Sequence, residues 1–431
     1  MKYIIIALLG GLATLMANQG IAVFNDGFRP IYSQYFEKKI TRKELAAMSF
    51  AISFGLVVGF GIPTSIAASI ILIHSILLAT DIIGTFLPDN KIGAITSLVA
   101  GATYGVLILV GLEAIVDLFG KLPYNFLDPL GSVSSFVVSG FAIFPSVAVG
   151  AQHGFKKGVI TGTISVLVYF LIAKFGVINV GENVVNLDPA GMALLTGVII
   201  MVIFATSNKS EENTGSNVSL TAIFSNQVSR IQKNWWIFAI MGGLAAAAAS
   251  MDLIAGDPAS LALMADKVYG NAALTALTRG IGFVPLIFTT AIVTGVYSPI
   301  GCTFIFAAGI ALHGNPLVAF IAGAVILVVE VFLIRFFAKI MDKFPGVRDM
   351  GEYIRTAMNK VLEIALLAGS IVSAETMAKG VGAIFVIGCF LINKYSKKPL
   401  VDLAVGPVAA IALGIILNIL NLIGLWTIPV A

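Results

Sequence analysis

The stretch NPLVAFIAGAVILVVEVFLIRFFAKI, residues 315–340, decides the fold class. From its proline to Ile334 it carries a single charged residue, Glu330, and only then do Arg335 and Lys339 follow. About 20 apolar residues in a row are enough for a helix to cross the hydrocarbon core of a bilayer. The stretch therefore predicts a membrane-spanning helix whose last turns reach the basic side of the membrane.

Stretches of this kind fill the chain. Hydrophobic residues make up 58% and charged residues 11% of 431 positions, and the mean hydropathy is +1.00. We predict an all-α polytopic membrane protein with about fourteen apolar segments (range about 11 to 14), of which the short ones are broken or re-entrant helices. The predicted segments are 3–24, 45–61, 64–86, 92–118, 131–152, 158–178, 189–206, 235–254, 280–296, 298–313, 315–340, 361–378, 380–393 and 402–424.

Basic residues are distributed unequally between the two sides of this layout. With the N-terminus outside, the inward loops collect 20 of the 26 Lys and Arg residues, which supports that orientation. No polar stretch is long enough for a separate soluble domain, so an extramembrane catalytic domain is excluded. The two cysteines, Cys302 and Cys389, lie in apolar runs without metal-ligand spacing, and we expect neither a metal site nor a cofactor.

The segments divide into two halves. We predict a first membrane repeat over 1–206, a polar cytoplasmic linker over 207–234 and a second, inverted repeat over 235–431. At an offset of 222, Ala100-Gly101-Ala102 matches Ala322-Gly323-Ala324. Glycine and proline also interrupt each half once, at 59–63 and at 295–301, and such paired interruptions are either turns or the broken helices of a transporter site.

Ionisable groups inside lipid cost roughly 2.5 to 3.5 kcal/mol each at a helix centre, so each needs a reason. Glu330 is a candidate for ion binding or proton relay, or else a structural partner of a cation on another helix. Arg279 opens an apolar segment, where it suits an anionic substrate or snorkels to headgroups. His74 is interpreted as a packing residue rather than a proton carrier. The other candidates for substrate or ion binding are Asp81, Asn18, Gln19, Asp26, Arg29, Thr289, Thr290, Pro63, Pro299, Glu363 and Glu375.

Seven stretches of the chain carry a resemblance to a known family: Ala22–Ile31, Thr80–Gly84, Phe141–Pro145, Arg279–Leu286, Thr294–Tyr297, Glu330–Arg335 and Met358–Ser370. Through these stretches the chain resembles the YhfT family of uncharacterised bacterial inner-membrane proteins over its whole length. The resemblance implies a multi-pass protein of the bacterial inner membrane, and it implies no activity and no site residues. Its doubled layout is also similar, in architecture alone, to the membrane subunits of ascorbate-type phosphotransferase permeases.

These observations favour a solute transporter that works by alternating access, coupled to an ion or a proton, for a small polar metabolite, with an anion preferred. Its partners would be the lipid bilayer, the solute and a second copy of the chain, and no nucleic acid. The first alternative is the membrane subunit of a phosphotransferase-type system, which requires soluble phosphocarrier proteins. A membrane-embedded enzyme acting on a lipid-linked substrate and a passive channel remain further alternatives, although the sequence predicts no catalytic residue.

Overall fold

The computed structural model describes residues 1–180, 183–207, 217–397, 399 and 402–428. Within these ranges nearly every element is an α-helix. Among the described residues, eight helices are long and apolar enough to cross a membrane, or nine if the two arms of a helix bent by 43° near residue 141 count as one span. By the length and composition of these helices, the chain is a multi-pass, all-α membrane protein.

The elements fall on either side of residues 208–216. The earlier ones are α1 (Lys2–Asn18), α2 (Arg29–Phe36), α3 (Arg42–Leu56), a π-helical turn (Val57–Gly61), α4 (Ile62–Ala68), β1 (Ile71–Leu72), α5 (His74–Phe86), α6 (Lys91–Lys121), α7 (Leu127–His153), α8 (Phe155–Phe175), β2 (Val177–Val180), β3 (Asn183–Asn186) and α9 (Pro189–Ser207). The later ones are α10 (Asn217–Gln232), α11 (Trp235–Ala249), β4 (Ile254–Ala255), α12 (Pro258–Ala265), α13 (Tyr269–Thr294), α14 (Phe304–Ala311), α15 (Pro316–Lys343), α16 (Pro345–Met377), α17 (Gly382–Tyr395) and α18 (Asp402–Leu422).

The long apolar helices leave much of their surface uncovered by protein. In α6, α8 and α15, most of the apolar window lies outside the protein core, with large side chains such as Leu107 and Ile321 exposed. A helix that is apolar all round and only partly buried is typical of a lipid-facing span. By contrast α13 is largely buried, which places it in the interior of the bundle.

The fourteen predicted segments are not confirmed. The predicted boundary between 45–61 and 64–86 is wrong, because the helix continues through Pro63 by means of the π-helical turn and stops only at Ala68. A π turn shifts the hydrogen-bond register, so the missing N–H of the proline is tolerated there. The polar stretch 340–360, predicted as a loop, instead continues α15 and begins α16.

The linker predicted over 207–234 contains a helix, α10, that packs against α13 and α15. Its first part, residues 208–216, lies outside the described ranges. Gln232 near the end of α10 donates to the carbonyl of Val331, and Arg230 donates to the carbonyl of Gly20. The segment between the two halves is therefore attached to both of them.

Two groups of three helices pack in a similar way. In the first group α1 lies between α5 and α6, and Gly10 of α1 faces Gly101 of α6 so closely that neither position has room for a Cβ atom. In the second group α11 lies between α14 and α15, and Gly242 faces Gly323 with the same lack of space. Small residues let membrane helices approach to backbone contact. The two groups are themselves joined where α1 packs against α11.

Candidate functional site

Two pairs of non-helical segments meet in the interior of the bundle. Residues 19–28, after α1, run beside residues 295–303, after α13: Ala22 bridges Tyr297, and the N–H of Val23 donates to the Tyr297 carbonyl at 3.0 Å. In the second pair, β1 and β4 run parallel with Ile71 opposite Ile254, both fully buried. Unwound backbone at membrane depth is tolerated only where its polar groups are satisfied inside the protein. These short pairings provide hydrogen-bond partners for some of these backbone groups.

Residues 19–28 form the first break. A buried carboxylate and a buried guanidinium hold it in place. Both oxygens of Asp81 on α5 accept backbone N–H groups, from Phe24 at 3.0 and 3.1 Å and from Asn25 at 2.9 Å. Arg29 donates to the Val23 carbonyl at 3.3 Å and pairs with Asp26 at 2.8 Å, the local pair that its spacing of three residues favours. The anion thus binds the free N–H groups of the break, and the cation binds a free C=O group.

Residues 295–303 form the second break, which is held in place by Glu330 of α15. Its Oε2 atom accepts the backbone N–H of Cys302 at 2.7 Å and the hydroxyl of Tyr297 at 3.0 Å. Its Oε1 atom accepts no hydrogen bond from the described part of the chain, although the side chain is only 4% exposed. Glu330 therefore keeps one buried oxygen atom open, whereas Asp81 has none.

A cavity of about 100 Å³ lies between the breaks. This is smaller than the roughly 300–1,000 Å³ of pockets that hold drug-sized ligands, so it suits a small solute. Apolar side chains, including Phe24, Phe60 and Phe283, form much of its wall. The polar and charged residues that line it are Asn25, Asp26, His74, Asp257, Arg279, Ser298, Thr303, Arg355 and Asn359.

An ion pair separates this cavity from a second opening. Asp188, just before α9, lines a vestibule of about 480 Å³ between α4, α7 and α12. Arg279 lines the cavity, and its guanidinium lies 3.6 Å from the Asp188 carboxylate. Pro258 at the start of α12 borders both spaces. The cavity and the vestibule therefore adjoin at this ion pair and at the first residue of α12.

Of the residues predicted from the sequence, Asp26 and Arg279 line the cavity. Arg29 and Thr290 lie directly behind it, joined by a hydrogen bond of 2.7 Å. Thr289 bonds back to the Pro285 carbonyl and contacts Gly351. Pro299 lies in the second break, as predicted, whereas Pro63 lies in a continuous helix.

The other predicted residues serve helix ends or the surface. Asn18 donates to three carbonyls at the end of α5, and Gln19 donates to Asn18. Glu363 pairs with Lys360 at 3.0 Å on α16. Glu375 accepts the N–H groups of Gly380 and Ala383 and so caps α17. None of these four is among the residues that line the cavity.

Several polar residues of the cavity are not among the residues predicted from the sequence. Arg355 and Asn359 lie one turn apart on α16, within a stretch that was interpreted as a loop. Asp257 lies in the segment between α11 and α12, as Asn25 lies in the segment between α1 and α2, and aligning α1 with α11 would have indicated it. Ser298 lies within the predicted interruption but gave no signal of its own. His74, interpreted as a packing residue, does contact the rings of Phe24 and Phe60, yet it also lines the cavity.

Comparison with known proteins gives a family. The model of the family YhfT, described as a protein of unknown function, matches residues 2–426. The chain is 35% identical to the uncharacterized protein YhfT of Escherichia coli (strain K12), over 99% of this chain and 98% of that protein. No solved structure matches the chain. With matches over almost its entire length, the chain belongs to the YhfT family.

Proposed function

We propose that this protein is a solute transporter of the bacterial inner membrane that binds its substrate in the cavity between the two breaks. The observation that carries the proposal is the cavity itself, lined by Asp26 from one break, by Ser298 from the other, and by Arg279 and Arg355 from adjoining helices. Broken helices that surround a polar site are a recurrent design of secondary transporters. Ionisable residues in a membrane protein also mark solute pathways more often than structural positions.

The organisation of the chain supports alternating access. We infer that residues 1–206 and 235–431 are inverted repeats, with the N-terminus outside, because basic residues concentrate on one side and the groups α1–α5–α6 and α11–α14–α15 pack alike. The Arg279–Asp188 pair would then close the path from the vestibule to the cavity, and separating α9 from α13 would open it. Coupling to an ion gradient would supply the direction of transport.

The lining favours a small polar solute with an anionic group. Arg355 lies beside Gly27 and Asp26, and its Nε–H group donates a hydrogen bond to none of the described residues. A guanidinium binds carboxylate and phosphate groups through paired hydrogen bonds. Asn359, one turn further along α16, offers both a donor and an acceptor to the same solute. The phenyl rings of the wall would cover the apolar part of the solute.

Replacing Arg355 with glutamine is expected to weaken substrate binding at least about tenfold, because a hydrogen bond to a charged group contributes roughly 1.5–3 kcal/mol. Purified protein is first screened by thermal shift against carboxylates, phosphorylated sugars, amino acids and neutral sugars. A true ligand at about 100 times its Kd adds roughly 2.7 kcal/mol to the free energy of unfolding. The ligand that stabilises the protein is then measured for Kd and for flux into proteoliposomes.

The matched control is Arg335→Gln, which removes the same charge from an exposed position on α15 outside the cavity, and it should leave Kd unchanged. Equal weakening by both substitutions would attribute the effect to overall charge. A ligand that binds normally to both Arg355→Gln and Asn359→Ala would place its site elsewhere and contradict the proposal. Flux that does not saturate and shows no counterflow would indicate a channel in place of a transporter.

A further inference from the structure

Glu330 is placed behind the wall of the cavity, not in it. The second break lies between them: Ser298, Gly301 and Thr303 face the cavity, while the carboxylate of Glu330 fills the space behind Gly301, where a Cβ atom would overlap Oε2. No ion pair to Glu330 is formed by the residues that the structure describes. A buried carboxylate without a counter-ion is costly in the ionised form and needs a proton or a bound cation.

The atoms around this carboxylate favour the proton. Its two protein partners, the N–H of Cys302 and the O–H of Tyr297, are donors that point their hydrogen atoms at Oε2. Such donors stabilise an anion and repel a metal cation, which requires several oxygen ligands directed at it. The open oxygen, Oε1, needs no further ligand to accept a proton.

We propose that Glu330 is the proton-binding site of this protein and that proton binding there controls the second break. The proposal rests on the transport function proposed above. In the ionised state, Oε2 holds the Cys302 N–H by a charge-assisted hydrogen bond, which is roughly twice as strong as a neutral one. When a proton bonds to Oε1, the carboxylate becomes a neutral carboxylic acid and this hydrogen bond weakens. The segment 295–303 then becomes free to move.

The break transmits this change to the substrate site along two short routes. Residues Ser298, Gly301 and Thr303 line the cavity directly. Tyr297 exchanges backbone hydrogen bonds with Ile21 and Val23, and that strand leads into Asn25 and Asp26 on the cavity wall. A displacement of the second break therefore changes both segments that surround the solute.

Few other groups can titrate near Glu330. The hydroxyl of Tyr297 and the thiol of Cys302 face it, and the guanidinium of Arg29 acts electrostatically on Cys302. Helices α11 and α14, which pack on α15, contain no ionisable side chain. Among the charged groups on the other helices packed against α15, several have partners of their own: Arg230 with the Gly20 carbonyl, Arg279 with Asp188, Arg355 with Glu352, Lys360 with Glu363, and Glu375 with the N–H groups of Gly380 and Ala383.

Hydrogen–deuterium exchange tests the inference without a substrate. At one fixed pH, peptides covering 295–303 and 21–25 should exchange about tenfold faster in Glu330→Gln, which mimics the protonated side chain, than in the unmodified protein. Peptides over 69–73 and 254–255, the other pair of broken segments, should not change. In the unmodified protein, exchange corrected for its intrinsic pH dependence should rise toward the glutamine level as pH falls, and added sodium should have no effect.

Glu375→Gln is the control, since it removes a carboxylate that caps another helix and should affect only the peptide over 380–383. Infrared difference spectra give a second readout: the carbonyl band of a protonated carboxylic acid should appear on acidification and be missing in Glu330→Gln. If hydrogen–deuterium exchange in the second break did not depend on pH, or if sodium slowed it at constant pH, the inference would be wrong. If the proton effects appear but no solute is ever moved, the proton site stands and the transport proposal fails.

Discussion

Replacing Asp81 with alanine should destabilise the protein by about 3–5 kcal/mol, the range measured when one partner of a buried charge network is removed. The substitution leaves the N–H groups of Phe24 and Asn25 without an acceptor, and it removes the electrostatic attraction between Asp81 and Arg29, which keeps its ion pair with Asp26. Because α1 and α2 are joined only by this unwound segment, the loss should also loosen the cavity wall. Chemical unfolding of the purified protein in detergent measures the change.

Two comparisons identify the cause of that loss. Glu363→Ala removes a carboxylate from a more exposed pair with Lys360 and should cost no more than about 1 kcal/mol. Asp81→Asn keeps the shape and one acceptor oxygen, so its cost should lie between the two. If Asp81→Asn were as stable as the unmodified protein but had lost proton-dependent transport, Asp81 would be a coupling residue, as the sequence alone also allowed, and the anchoring role assigned to it would be wrong.

Hydropathy predicted the helices whose whole length is apolar. The segment predicted over 92–118 is α6, Lys91–Lys121, with limits that differ by three residues at most. Hydropathy does not reveal a helix break that has no local signal. The stretch Ile70-Ile71-Leu72-Ile73 is apolar throughout, so hydropathy places it in the middle of the predicted span 64–86. The backbone of this stretch is satisfied by Ser65 and by β4, which comes from the other half of the chain. A pairing over such a sequence distance leaves no pattern in either strand alone.

The site divides in the same way between local and distant causes. A spacing of three residues favours a local ion pair between Asp26 and Arg29, and they form that pair. Glu330 was singled out because it lies in the middle of an apolar helix. Arg355 and Asp257 reach the cavity only through the packing of α16 and α12, and nothing in their neighbouring residues indicates it. The local sequence therefore indicates residues that differ from their sequence neighbours, but not those that tertiary packing brings together.

Adding one methyl group should have opposite effects at glycines of the same helix. Gly101→Ala places a Cβ atom against the Gly10 carbonyl and the Thr14 side chain, and Gly323→Ala places one against the Gly242 carbonyl. Backbone atoms cannot rotate away, so each helix pair must separate. We expect each substitution to cost about 1–3 kcal/mol, the usual range for overpacking. Thermal and chemical unfolding in detergent measure both variants.

Gly111 provides the control, because it lies on α6 with no atom within 4 Å of an added Cβ. There alanine should raise stability by up to about 1 kcal/mol, since glycine is the poorer helix former. A loss at Gly111 equal to that at Gly101 would show that α6 tolerates no substitution and would remove the packing explanation. Similar losses at Gly101 and Gly323, 222 residues apart, are what a repeat requires, because equivalent helices then pack through equivalent contacts. Unequal losses would mean that only one of the two contacts carries its three-helix group, which would weaken the case for two halves with a common architecture.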